Sequence, residues 1–220
     1  MIDKGTFIEL DYTGKTNGKV FDTTIEKIGK KEGFKNREYT PIVIKVGEGN
    51  VIKGLDEALK KMKEGEKKKI EIPPEKGYGQ RNPKLIKIVP ISVFKKNDIQ
   101  PMPGMILNLD NMPARVQSVS GGRVRVDFNH ELAGKNLEFD VKINKILKTK
   151  KDIVDSLTNR IMPKAKATVK AKTCSIKVSE MDKEYPKQKQ ALITKILMEV
   201  DGIEKVEITE EYKKKTGKNI

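Results

Sequence analysis

In the stretch LDYTGKTNGKVFDTT, Leu10 to Thr24, apolar and polar residues alternate as far as Gly14, Asn17-Gly18 follows, and Phe21 stands directly before Asp22. A period of two marks a strand with one face buried, here running from Thr6 to a turn expected at Gly14. Asn-Gly tolerates the positive φ angles of a two-residue hairpin, so a second strand is expected through Val20-Phe21-Asp22. A carboxylate beside an aromatic patch costs free energy unless a donor meets it, so Asp22 requires a partner.

Residues 24–40 are polar and irregular and are expected to form a loop or bulge. The alternation resumes in TPIVIKVGEG, with Ile42, Ile44 and Val46 on one face. In NVIKGLDEALKKMKEG, Leu55, Ala58, Leu59 and Met62 recur at helical spacing. Asp56 and Glu57 fall in its first turn, Lys60, Lys61 and Lys63 in its last, and Gly65 is placed to end it, an order that suits the helix dipole. KKKIEIPPEKGYGQ then reads as a strand, a Pro-Pro break and a glycine-flanked Tyr78.

The pattern changes from Lys84 to Val126. Short alternating segments (Ile86–Ile88, Ile106–Leu109, Ala114–Val119, Arg123–Asp127) are punctuated by Pro101, Pro103, Pro113 and Gly121-Gly122, with a short helix expected near Ser92–Asn97. The earlier style returns in LEFDVKINKIL, so this small antiparallel module is inserted into a parent domain, not appended to it. Beyond Lys148, Ile153, Leu157 and Ile161 lie four apart and predict a helix over Asp152–Ile161. ATVKAKTCSIKVS reads as one strand, PKQKQALITKILMEVDG as a helix ending at Gly202, and IEKVEITEEY, ending at Tyr212, as another strand.

Composition narrows the function. The chain has 220 residues, room for a large core or several small ones. No apolar run approaches a membrane span, Met1 to Lys4 lead directly into strand-like sequence, and no signal peptide is expected. The single cysteine, Cys174, excludes an internal disulfide framework and fits a reducing cytoplasm. Net charge is +15, but the basic residues are mostly lysine and spread out: residues 149–220 carry 17 basic and 11 acidic side chains. An even Lys/Glu coat reads as a solvated, heat-tolerant surface, which disfavours dedicated nucleic-acid binding.

The segments LDYTG, GKVFD, GEGNVIKGLDEAL, GYG and LEFDVKI, in this order and spacing, resemble the FKBP-type peptidyl-prolyl cis/trans isomerases from about Thr6 to Lys148. The long insert followed by NHELAGKNL is similar to the SlyD branch, whose flap carries a chaperone module, and the extra C-terminal part is similar to the long archaeal type. The resemblance implies an α+β fold: an FKBP-like antiparallel sheet wrapped on one helix, an inserted small β domain and a C-terminal α/β domain. The expected boundaries are residues 1–84 with 127–150 for the isomerase domain, 85–126 for the insert and 151–220 for the C-terminal domain.

The resemblance also implies a prolyl pocket. Tyr12, Asp22, Tyr78 and Phe139 take the catalytic positions, and Phe21, Ile42, Val51, Ile52 and Leu55 take the substrate-binding ones. Leu55 stands where single-domain members often carry tryptophan, which weakens the expectation of tight macrolide binding. The Tyr78 hydroxyl and the Ile52 N–H are the implied donors to substrate carbonyls, and Asp22 the implied electrostatic contact, oriented by Tyr12. For Ile42 or Val51 alone, plain core is the simpler reading.

No cofactor or metal is implied. His130 is the only histidine and Cys174 the only cysteine, too few to build a metal site, and prolyl rotation needs no proton transfer. His130 is expected to hold the turn that leads back from the insert. Met102, Met105 and Met112 crowd the insert with Ile99, Ile106, Leu107 and Leu109, either as a small-domain core or as an adaptable surface for unfolded chains. The expected partners are therefore unfolded or proline-containing polypeptides, plus a second copy of the chain through the C-terminal domain; the alternative for that domain is packing on its own chain. A rival function is a holdase, or a ribosome- or RNA-associated factor, with a vestigial pocket; the intact Tyr12, Asp22, Tyr78 and Phe139 weigh against it.

Overall fold

The computed structural model describes residues 1–35, 39–109, 111–179 and 184–211. Tyr212, the expected end of the last strand, lies outside them. The chain forms two compact units, one of residues 1–72 with 137–220 and one of Pro73–Asn136. In chain order the described elements are β1 (Phe7–Thr16), β2 (Lys19–Thr23), α1 (Glu26–Lys31), β3 (Ile42–Lys45), α2 (Lys53–Leu59), β4 (Lys67–Ile72), β5 (Ile86–Pro90), α3 (Ile91–Lys95), β6 (Ile106–Leu109), β7 (Met112–Ser120), β8 (Arg123–Asp127), β9 (Leu137–Leu147), α4 (Lys150–Ile161), β10 (Ala165–Lys170), β11 (Thr173–Val178), α5 (Tyr185–Glu199) and β12 (Lys205–Glu210). The fold is mixed α and β with mainly antiparallel sheets.

In the first unit, β1 is the hub of an antiparallel sheet ordered β2-β1-β9-β4, with β3 also paired to β1. The β1–β2 turn sits at Asn17-Gly18, both at positive φ (48° and 75°). Gly14 is not the turn: it lies inside β1, opposite Asp22 and Phe139. Helix α2 buries Leu55 and Leu59, and Met62 is buried just beyond it. The helix is shorter than its spacing predicts. It stops at Leu59, where N–H bonds from Lys61 to Ala58 and from Met62 to Leu59 tighten the chain, so the lysines follow the helix and do not form its last turn. A second correction falls in residues 24–40, where a loop was expected and α1 forms, held by a Glu26–Lys30 ion pair and by close packing of Gly29 against the Tyr39 ring.

The same unit contains the three-stranded sheet β10-β11-β12. The segment expected as one strand is a hairpin, β10 and β11, turning at Ala171 with φ 51°. Nothing in Lys170–Thr173 carries the usual glycine or asparagine signal. Strands β11 and β12 are parallel, joined by α5 as crossover helix. Phe7, Val43 and Leu147 of the large sheet share one apolar cluster with Val154, Leu157, Cys174, Ile176, Leu192 and Ile196. The inner faces of α4 and α5 are thus covered within the chain. Lys45 and Lys150 donate to the Glu199 and Gly202 carbonyls at the end of α5 (3.4 and 3.1 Å), where the helix dipole favours cations.

The second unit is a four-stranded antiparallel sheet, β5-β8-β7-β6, with α3 beside it. Phe94, Ala114, Val116, Val124 and Val126 form its core. Burying Phe94 alone is worth about 1.5–3 kcal/mol, a large share for so small a core. Gly121-Gly122, at φ 54° and 73°, turns β7 into β8. The compact unit extends beyond residues 85–126 on both sides. The extra chain, residues 73–84 and 127–136, is zipped together by Asn82 N–H to Asn129 Oδ1 (2.8 Å), Gly134 N–H to the Gly79 carbonyl (2.8 Å) and an Arg81–Asp127 ion pair.

Candidate prolyl site

Four of the expected residues converge on one end of the large sheet. Tyr12 on β1, Phe21 and Asp22 on β2 and Phe139 on β9 are brought together by the hairpin and by the β1–β9 register, which sets Gly14 opposite Phe139. Phe139 is buried, with its ring centroid 5.9 Å from that of Tyr12 and 5.7 Å from that of Phe21, the latter pair edge-to-face at 82°. Edge-to-face packing matches ring quadrupoles and adds about 0.5–1.5 kcal/mol to burial. Gly14 makes the cluster possible: a Cβ there would lie 2.6 Å from Phe21 Cζ and 3.1 Å from Phe139 Cε1.

Asp22 has the partner its setting demands. The Tyr12 hydroxyl donates to Asp22 Oδ2, and the Thr23 N–H donates to Oδ1 at 2.9 Å. Behind the pair, Thr13 and Thr23 hydroxyls bond each other at 2.8 Å, and Thr24 Oγ1 accepts from the Tyr12 N–H at 3.0 Å while donating to Asp11 at 2.7 Å. These buried hydroxyls fix both strands and so fix the carboxylate.

Ile42 lies on β3 opposite Leu10. Val51 and Ile52 are half-buried just before α2, and Leu55 is buried on its first turn. Ile52 is the residue at the N-cap of α2; its carbonyl accepts from Leu55 and Asp56, and its N–H has no acceptor among the described residues. The approach to this turn is anchored by two side chains. Asp56, 8 % exposed, accepts from the Gly47 N–H at 2.8 Å, and Asn50 accepts from the Lys45 N–H at 2.7 Å.

Tyr78 belongs to the second unit. Its ring stacks on His130. His130 Nδ1 accepts from the Leu132 N–H at 3.1 Å, and its carbonyl accepts from the Ala133 N–H at 2.9 Å, so this side chain shapes the turn and supports a tyrosine.

Sequence reasoning read Gly14 as a turn and Asp56 only as a helix-dipole charge, and gave the Thr13–Thr23 pair no role. A glycine inside an otherwise regular strand was a usable signal for close approach; the threonines carried none.

The family model for "FKBP26, IF domain" matches residues 87–132. The chain is 42 % identical over 148 residues to a short-type peptidyl-prolyl cis-trans isomerase of Methanocaldococcus jannaschii, covering 66 % of this chain and 94 % of that one. It is 37 % identical over 101 residues to the FKBP-type peptidyl-prolyl cis-trans isomerase SlyD of Vibrio cholerae, covering 44 % of this chain and 50 % of that one.

Proposed function

The chain belongs to the FKBP-type peptidyl-prolyl cis-trans isomerase family, and on that premise we propose that it rotates Xaa-Pro bonds in the pocket of Tyr12, Phe21, Asp22 and Phe139 while its insert holds unfolded chains. The observation that carries the reading is the Tyr12–Asp22 hydrogen bond, set beside the aromatic cluster of Tyr12, Phe21 and Phe139.

Rotation breaks no covalent bond. The obstacle is amide resonance, a barrier of about 18–20 kcal/mol for a peptide bond. Resonance places negative charge on the carbonyl oxygen, and water stabilises that planar form. Phe21, Phe139, Val51, Ile52 and Leu55 strip the water and seat the prolyl ring; Ile42 adds to the wall. The Ile52 N–H binds a substrate carbonyl and holds one side of the bond still, and the Tyr78 hydroxyl is proposed as a second donor. Asp22, fixed by Tyr12, interacts with the carbonyl as it turns. No cofactor enters this scheme. The single buried cysteine, with no disulfide partner, supports a cytoplasmic setting; among the described residues no helix is long and apolar enough to cross a membrane.

Capture by the insert raises the local concentration of Xaa-Pro bonds at the pocket. Met102 and Met112, both exposed on the second unit, support this part of the proposal. We extend it to a homodimer. The outer face of α5 leaves Met198 79 % and Leu197 42 % exposed, beside a groove of ≈ 640 Å³ lined by Pro186, Ala191 and Thr194. Light scattering on the full chain and on Leu197→Glu/Met198→Glu checks it: a monomeric parent protein, or a dimer indifferent to both changes, refutes that surface.

A protease-coupled assay on an Xaa-Pro tetrapeptide tests the core of the proposal. Phe139→Ala should lower turnover at least about tenfold, with circular dichroism showing the fold retained. A folded parent protein without turnover would favour the holdase reading. Replacing residues 86–127 by a short linker between Leu85 and Phe128, already joined by a 3.0 Å backbone bond, should spare tetrapeptide turnover and slow catalysed refolding of a proline-limited protein.

A further inference from the structure

Residues opposite one another in the second unit's sheet share a face. Val89, Val116, Val124 and Val126 belong to the face that packs on Phe94. The other face sets Ile88 opposite Arg125, Pro90 opposite Arg123 and Ile106 opposite Arg115. Ile88 and Ile106 are 65 % and 60 % exposed, on the two outer strands, so roughly 14 Å of sheet lies between them. Three of the chain's six arginines fill the space near them. Arg115 is paired with Glu131 at 2.8 Å, whereas Arg123 and Arg125 have no carboxylate within 4 Å among the described residues.

Two bare guanidiniums bordered by exposed isoleucines leave unmet both an apolar demand and a charge demand. We propose that this face selects client segments in which apolar residues are flanked by carboxylates, a choice of substrate that rests on reading the insert as the chain-capturing module. Arg123 and Arg125 are two apart on one strand, about 7 Å from each other, the distance between carboxylates at alternate positions of an extended peptide. The planar guanidinium fork accommodates a carboxylate with two parallel hydrogen bonds, where lysine offers a point charge. Nucleic acid fits less well. Among the described residues the face offers no aromatic side chain for base stacking, and its remaining exposed positions on β7 are Pro113, Ser118 and Ser120 instead of further cations.

Fluorescence anisotropy on the full chain tests the proposal, using labelled 20-residue unstructured peptides with one apolar centre and Glu, Gln or Lys flanks. The Glu-flanked peptide should bind about tenfold more tightly than the Gln-flanked one, and 0.5 M salt should remove the difference. Arg123→Gln/Arg125→Gln should abolish the preference, and Arg123→Glu/Arg125→Glu should reverse it toward Lys, both with unchanged tetrapeptide turnover. Equal binding of Glu- and Gln-flanked peptides overturns the charge selection while leaving capture intact. Absence of binding by any peptide overturns capture itself. Tighter binding of a single-stranded oligonucleotide than of the Glu-flanked peptide, lost in the arginine variants, reassigns the face to nucleic acid.

Discussion

The Tyr78 and His130 rings lie face to face, 4.1 Å between centroids and 3° between planes. A histidine with no proton to move thereby gains a mechanical task, because the residue that shapes the return from the insert also fixes the orientation of a proposed substrate donor. His130→Phe keeps a stacking ring and should hold tetrapeptide turnover within about twofold, while His130→Ala should lower it several-fold, mainly through KM. Equal loss in both variants would point to the imidazole nitrogens instead.

Gly14→Ala should damage the proposed pocket more than the fold. The added methyl collides with the free edge of the Phe21 ring, which can turn aside, and crowds Phe139. Turnover is expected to fall about tenfold, with a stability loss of roughly 1–3 kcal/mol from overpacking. Wild-type turnover in a folded Gly14→Ala protein would show that the aromatic arrangement does not govern catalysis.

The start of α4 supplies a pH test. Asp152 accepts from Lys145 Nζ at 2.7 Å and closes a capping box with Thr149. Lys145 first, then Thr149, hold its carboxyl down at about 2, against an ordinary 3.8. A depressed folded value means the contribution is complete above 3.8 and is lost as pH falls through 2. NMR titration should therefore place Asp152 near 2, and the acid decline of stability between those values should be shallower in Asp152→Asn. A carboxyl that titrates at 3.8 would remove the cap from the account.

Cys174 should be silent until the protein unfolds. Burial pushes its thiol up from an ordinary 9 to about 11. The folded state prefers the neutral thiol, so this contribution is full below 9 and is lost as pH rises through 11. An aromatic disulfide reagent should react slowly with native protein at pH 8 and fast in denaturant. Rapid native reaction would mean that the cluster around Leu192 and Ile196 opens readily.

Local chemistry was the legible part of the sequence. Asn17-Gly18 announced its hairpin, and the prolines and glycines of residues 101–122 outlined the insert's strands. Asp22 after Phe21 asked for a donor and found Tyr12. Long-range geometry was less readable. Gly14 resembled a turn because a single strand does not reveal that two rings from its neighbours will need the space. The hairpin at Ala171 lacks the residues that normally accept positive φ, so tertiary packing, not propensity, folds it. Helix α1 has too few apolar positions to show a period, and α2 stops before its lysines because Met62 is drawn into the core.

The cluster that unites Phe7, Val43 and Leu147 with α4, α5 and β11 has a consequence for how the chain is born. Phe7 leaves the ribosome well before Leu192, Ile196 and Ile203, which cover the same cluster. At about 5–20 residues per second, roughly 10–40 s separate the two events. In that interval the nascent isomerase carries a bare apolar flank, while the second unit, complete by Asn136, has every residue it needs before Leu192 emerges. An isomerase of this design would have its inserted second unit in place before its catalytic lobe could close.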